Sequence, residues 1–263
     1  MSRTLSRTVR AVVAVVAVVT VAALAACGGT GPGGGSGGSG GAVTVFAAAS
    51  LTDSFTRIGR DFEAANPGTA VVFNFAGSSA LATQIDQGAP ADVFAAAAPT
   101  PMDTVTRAGN ADGEPAVFVR NQLVIAVAPG NPAGVRGLAD LARPGLKVAL
   151  CAEQVPCGAA ARRVLDAASV TLTPVTLEQD VRGALAKVRL GEVDAALVYR
   201  TDARAAAAEV AAVEFAESAG AVNDYLIVVL ADAPHPDGAR AFVAYVRSAP
   251  ARAVLAGAGF QSP

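Results

Sequence analysis

The chain has 263 residues, 52% of them hydrophobic and 16% charged, so it can bury a sizeable core and is neither disordered nor a coiled coil. Its formal net charge is −2, Trp is absent, and lysine occurs only at Lys147 and Lys187; with no basic cluster, a nucleic-acid partner is excluded. The single histidine, His235, removes most metalloenzyme and catalytic-triad chemistry.

Residues 1–26 read as an export signal. Arg3, Arg7 and Arg10 precede an apolar run from Ala11 to Ala26 that is broken only by Thr20. The run is shorter than the roughly 20 apolar residues a membrane span needs. Without the three leader arginines, the net charge of −2 becomes −5. The run ends in Leu24-Ala25-Ala26-Cys27, which resembles the lipobox of bacterial lipoproteins. That resemblance implies a lipidated N-terminus at Cys27 and an anchor on the extracytoplasmic face of the cell membrane. More than one acyl chain is needed to hold such an anchor, at about 0.8 kcal/mol per buried methylene. A plain secreted protein and an uncleaved anchor are the alternatives. Residues 27–41, almost entirely Gly and Ser after the cysteine, make a flexible tether. Its matches to a hydrolase elbow (Gly34 to Gly38) and to a dinucleotide fingerprint (Gly33 to Gly38) follow no strand, and are accidents of composition.

From Ala42 short apolar runs alternate with helix-period segments. Val43–Ala48, Val71–Phe75, Asp92–Ala97, Leu123–Ala128, Lys147–Leu150, Ala195–Tyr199 and Tyr225–Leu230 are predicted strands. Phe55, Ile58 and Phe62 share one helical face, and Leu81 with Ile85 another. Val164 belongs to a further helical stretch, Val181, Leu185 and Val188 to the next, and Phe242, Tyr245 and Val246 to a C-terminal helix. The alternation predicts an α/β fold with mainly parallel sheets and room for two lobes of about 100 residues. With Cys27 set aside, Cys151 and Cys157 form an even pair in an oxidising compartment; a disulfide is favoured over two inert thiols.

Four segments share one design, a strand or loop followed by a small residue that opens a helix. They run Phe46 to Asp53, Phe75 to Leu81, Val155 to Arg162 and Glu178 to Leu185. Ser50 with Asp53 reads as a capping box, and Ser78 or Ser79 as the cap of the second helix. Each helix start presents unpartnered N–H groups at the positive end of a macrodipole, so several directed at one point hold an anion without a charged side chain.

The set resembles a family. Val43 to Thr52, Phe75-Ala-Gly-Ser78-Ser, Gln84 to Asp92, Glu178 to Leu185 and Val198-Tyr199 are similar, in order, to the molybdate-binding proteins of ABC importers. The resemblance implies a two-lobed periplasmic-binding-protein fold of type II, each lobe a mainly parallel sheet flanked by helices, with the ligand in the interlobe cleft. Lobe 1 would be 42–123 plus 226–263 and lobe 2 124–225, with hinge strands near Leu123–Ala128 and Asp224–Val228. It implies a monomeric, non-enzymatic receptor that binds molybdate or tungstate, uses no cofactor, and delivers its ligand to an ABC importer permease. The metal enters only as the oxyanion. Carried over by position, Ser50 and Ser78 supply hydroxyl and N–H, Cys157 and Val181 supply N–H, and Tyr199 supplies its phenol. The family commonly has Ala-Gly after the proline, where this chain has Cys157-Gly158 after Pro156.

Such a site discriminates by donors and size. Near neutral pH phosphate keeps a proton, and an all-donor pocket leaves it unpaired at a cost of about 1–3 kcal/mol. Sulfate is rejected only by cavity size. The alternative within this class is therefore a receptor for sulfate or phosphate. An enzyme reading would need Ser50 or Ser78 as nucleophile and His235 as base, but His235 lies in a Pro-rich turn, Pro234 to Gly238. Asp53, Asp92 and Asp180 are scattered, and each has a capping or turn role open to it.

Overall fold

The computed structural model describes residues 41–263. The export signal, Cys27 and nearly all of the tether lie outside the described residues. In chain order the elements are β1 (Ala42–Ala48), α1 (Thr52–Ala65), β2 (Ala70–Ala76), α2 (Ser78–Asp86), β3 (Val93–Ala96), α3 (Pro99–Arg107), β4 (Ala111–Asn121), β5 (Leu123–Val127), β6 (Val148–Cys151), α4 (Pro156–Ala167), β7 (Thr176–Glu178), α5 (Val181–Arg189), β8 (Ala195–Tyr199), α6 (Arg200–Ala205), β9 (Ala211–Val213), β10 (Asn223–Leu230), α7 (Pro236–Val246) and α8 (Ala249–Ala258). A 3-10 turn, Ala49–Leu51, joins β1 to α1.

The strands form two five-stranded sheets, ordered β2-β1-β3-β10-β4 and β7-β6-β8-β5-β9. In each sheet four strands share a direction and one is reversed, β10 in the first and β5 in the second. Each reversed strand sits where the chain changes sheet. The chain leaves the first sheet at Gln122 and returns between β9 and β10, which makes two lobes joined by two crossings. Each sheet is thus mainly parallel, as the sequence pattern reads, and the one reversed strand in each is the apolar β10 or β5 at a crossing.

The central strands are apolar on both faces and are covered by helices on both sides, as parallel strands require. Phe55, Ile58 and Phe62 line the buried face of α1. Phe55 and Phe62 meet Phe242 of α7 edge-on, with ring centroids 6.1 and 5.4 Å apart. The strand that pattern reading misses most plainly is β4. Gly113, Glu114 and Pro115 break its alternation, but it is an edge strand, where proline removes no needed ladder bond. In both lobes the carboxyl ends of β1, β3, β6 and β8 open on the cleft, the usual ligand position in open α/β sheets.

Candidate oxyanion site

The serines at the helix starts do not cap their own helices. The Ser50 hydroxyl lies 2.9 Å from the Tyr225 hydroxyl, and no side chain caps α1. Ser78 Oγ accepts from the Ala97 N–H at 3.0 Å, and Ser79 Oγ donates to the Gln154 carbonyl at 2.7 Å. The expected capping box at Ser50–Asp53 is therefore not formed; Asp53 instead meets Arg182 Nη1 at 2.7 Å. Longer-range partners win over the local cap in each case.

Helix α5 is capped, and the cap is selective. Asp180 Oδ1 accepts from the Arg182 and Gly183 N–H groups at 2.9 and 3.0 Å, and the Ala184 N–H turns back to the Asp180 carbonyl. That leaves the N–H of Val181, the first helical residue, without a partner among the described residues. In α4, Pro156 has no N–H and Ala159 bonds to the Val155 carbonyl, and the N–H groups of Cys157 and Gly158 have no partner among the described residues. In α2 the first turn has no side-chain cap.

These starts converge. Ser50, Ser78, Cys157, Val181 and Tyr199 all line one cavity, together with Gly77 and Asp180. The room open to the centre of a water-sized sphere is about 20 Å³. As a sphere that is roughly 1.7 Å in radius, and adding a water radius of roughly 1.4 Å places the walls roughly 3 Å from the centre. A nucleotide or sugar does not fit; one small polyatomic ion does. Among the described residues no Lys or Arg lines the space. Its acidic member, Asp180, directs an oxygen onto its own helix start.

The hydroxyls are backed by a buried polar network. Asn223 Nδ2 donates to the Tyr199 hydroxyl at 2.7 Å, and Asn121 Nδ2 donates to Thr201 Oγ1 at 2.8 Å and to the Tyr225 hydroxyl at 3.4 Å. Burial pushes the Tyr199 phenol well above its ordinary range, with the Asp202 carboxylate adding to the rise, so Tyr199 keeps its proton at any physiological pH. Asp202, three residues on, is fully buried with neither carboxylate oxygen hydrogen-bonded. Burial raises its pKa to about 7; Arg182 opposes the rise, and Asp53 and Asp180 add to it.

Cys151 and Cys157 are joined by a disulfide, which pins the start of α4 to the end of β6. Gly158 is required by the same approach, since a Cβ there would sit 1.9 Å from the Ala152 carbonyl oxygen. Across the cleft a Cβ at Gly77 would lie 2.4 Å from the Gln179 carbonyl oxygen. The Arg182–Asp53 pair and the Ser79–Gln154 bond also join the lobes, so the cleft is closed. Among the described residues no group of three His, Cys, Asp or Glu side chains is placed to hold a metal ion. His235 lies against buried Asp92, which accepts from its backbone N–H, and not against either serine.

The family model described as bacterial extracellular solute-binding protein matches residues 43–261. The chain belongs to this family. A relative of this solute-binding protein, the molybdate-binding protein ModA of Mycobacterium tuberculosis (strain H37Rv), is 50% identical over 222 residues, covering 84% of this chain and 85% of the relative. In fold it matches the periplasmic molybdate-binding protein of Azotobacter vinelandii, with TM-score 0.73 and 21% identity over 84% of this chain and 99% of that one. It matches the sulfate-binding protein SubI of Mycobacterium tuberculosis H37Rv equally well, with TM-score 0.74 and 19% identity over 84% and 86%. The architecture is thus shared by proteins titled for different oxyanions. The family is one of solute-binding proteins, not of enzymes.

Sequence reading finds the cavity-facing residues through the family motifs, but it misses Asn121, Asn223, Tyr225 and Asp202. Asn121 and Asn223 lie at strand ends, Tyr225 inside β10 and Asp202 in α6, and the partners of Asn121, Asn223 and Tyr225 are far away in the chain.

Proposed function

We propose that this protein captures molybdate, and tungstate as well, and hands it to the permease of an ABC importer. The oxyanion is held by the hydroxyls of Ser50, Ser78 and Tyr199 and by the N–H groups of Ser50, Ser78, Cys157 and Val181. The observation that carries the reading is the convergence of unclaimed helix-start N–H groups and three hydroxyls on a cavity about one oxyanion wide, with no cation in its lining. Charge-assisted hydrogen bonds, each worth about 1.5–3 kcal/mol, replace much of the hydration the dianion gives up. The 50% identity to a protein named for molybdate binding supports this ligand over others. The receptor works as a monomer, held at the outer face of the membrane through lipid on Cys27, with the Gly/Ser segment giving it reach.

Isothermal titration with molybdate, tungstate, sulfate and phosphate tests the assignment. Tight one-to-one binding of the first two, with no heat from the others, is expected. Preferential binding of sulfate would keep the receptor and overturn its ligand; sulfate is the competing reading because the fold is shared with SubI. Preferential binding of phosphate would mean that Asp180 accepts a ligand proton.

A further inference from the structure

A hydroxyl gives its proton to one acceptor at a time, so a phenol serves an anion only if something else fixes its direction. Asn223, the first residue of β10, is 3% exposed and stands behind the Tyr199 hydroxyl. Its neighbours allow its amide one orientation. Oδ1 accepts from Arg163 Nη2 at 2.7 Å, and a guanidinium has no lone pair to offer. Nδ2 faces the carbonyl oxygens of Ala97 at 3.0 Å and Pro156 at 3.4 Å, which have no proton to give. Nδ2 is therefore the donor to Tyr199, and the phenol's own proton points away from Asn223. The Tyr225 hydroxyl, also nearby, pairs with Ser50 at 2.9 Å and accepts from Asn121 Nδ2 at 3.4 Å. With Asn223 on its lone-pair side, the Tyr199 hydroxyl, which lines the cavity, is free to turn its proton there, where a ligand would accept it.

We infer that Asn223 is a positioning residue for oxyanion capture, fixing the Tyr199 hydroxyl as a donor into the cavity. It backs Ser78 as well, because the Ala97 whose carbonyl it holds is the residue whose N–H occupies Ser78 Oγ. Asn223 belongs to the first sheet and Tyr199 to the second, so their bond spans the two lobes. This inference rests on the reading that Tyr199 touches the oxyanion.

The test is a double-mutant cycle read by molybdate titration: wild type, Tyr199→Phe, Asn223→Leu and the pair, with thermal melting of each ligand-free protein as the folding check. Leucine keeps the shape of asparagine and removes its polar atoms. Each single substitution is expected to weaken binding roughly 10- to 100-fold, and the pair by little more than the worse single. If Asn223→Leu costs the same factor on top of Tyr199→Phe as it does in the wild type, or costs nothing, the inference is overturned and the site reading stands. Unchanged binding in Tyr199→Phe would sink the site reading and the inference with it. Should the leucine variant melt below the assay temperature, Asn223→Asp carries the same comparison. It is the same size and still pairs with Arg163, but it accepts the phenol's proton and turns it from the cavity.

Discussion

Asp202 is a buried carboxylic acid whose side-chain oxygens have no hydrogen-bond partner among the described residues, and its ionisation opposes folding. In the unfolded chain it loses its proton near its ordinary pKa of 3.8; in the folded protein it does so only near 7. The folded state therefore binds more protons between these values, and stability falls as pH rises from about 4 to about 7, then levels off. Urea unfolding at pH 5 and pH 8 should show this group costing about 3 kcal/mol between the two, a cost absent from Asp202→Asn. An equal fall in both proteins would mean that Asp202 finds a partner. Ser78 behaves differently. Its hydroxyl satisfies the buried Ala97 N–H and still has its own proton to donate. Ser78→Ala should weaken molybdate binding roughly 10- to 100-fold in titration and also lower stability, by about 1–3 kcal/mol, through the orphaned N–H.

At the scale of elements, the starts of α2 and α4 are held by close backbone approaches, and these separate binding from stability. Gly77→Ala drives a methyl into the Gln179 carbonyl of the opposite lobe, so it opposes closure. Its expected signature is a large loss of affinity with little change in the melting temperature of the ligand-free protein. Gly158→Ala strikes the Ala152 carbonyl within the same lobe and should lower that melting temperature itself. Replacing both Cys151 and Cys157 by Ser should cost about 2 kcal/mol by loop-closure entropy and leave the residue 157 N–H in place but less firmly held. Thermal melts with and without reductant check this on the unmutated protein. Elements with one unambiguous period were legible beforehand, as with Phe55, Ile58 and Phe62 on α1. Edge strand β4 was not, because Gly113 and Pro115 are tolerated there only by its place in the sheet, which no local pattern states. Ser50 and Ser78 were legible as helix starts, but their release from capping depends on Tyr225 and Ala97, which the chain brings near only on folding.

Across the whole molecule, the polar contacts that join the lobes include both buried and exposed ones. Arg182–Asp53 is an ion pair between the lobes beside the cavity, and both side chains are substantially exposed. Exposed pairs contribute about 0–1 kcal/mol, so Arg182→Ala should raise Kd by less than roughly fivefold, and high salt should erase the difference. A larger effect in titration would show that Arg182 acts on the ligand's charge directly.

The two crossings also set an order of assembly. Every strand of the second sheet lies within one continuous stretch, Leu123 to Val213, whereas the first sheet has β10 seated between β3 and β4. As the exported chain emerges from its N-terminus, β4 has no partner until Asn223 to Leu230 have followed the whole second lobe. The second lobe can finish while the first still waits for its missing inner strand. Pulse-labelled hydrogen exchange during refolding should find the amides of β5, β6 and β8 protected before those of β4 and β10.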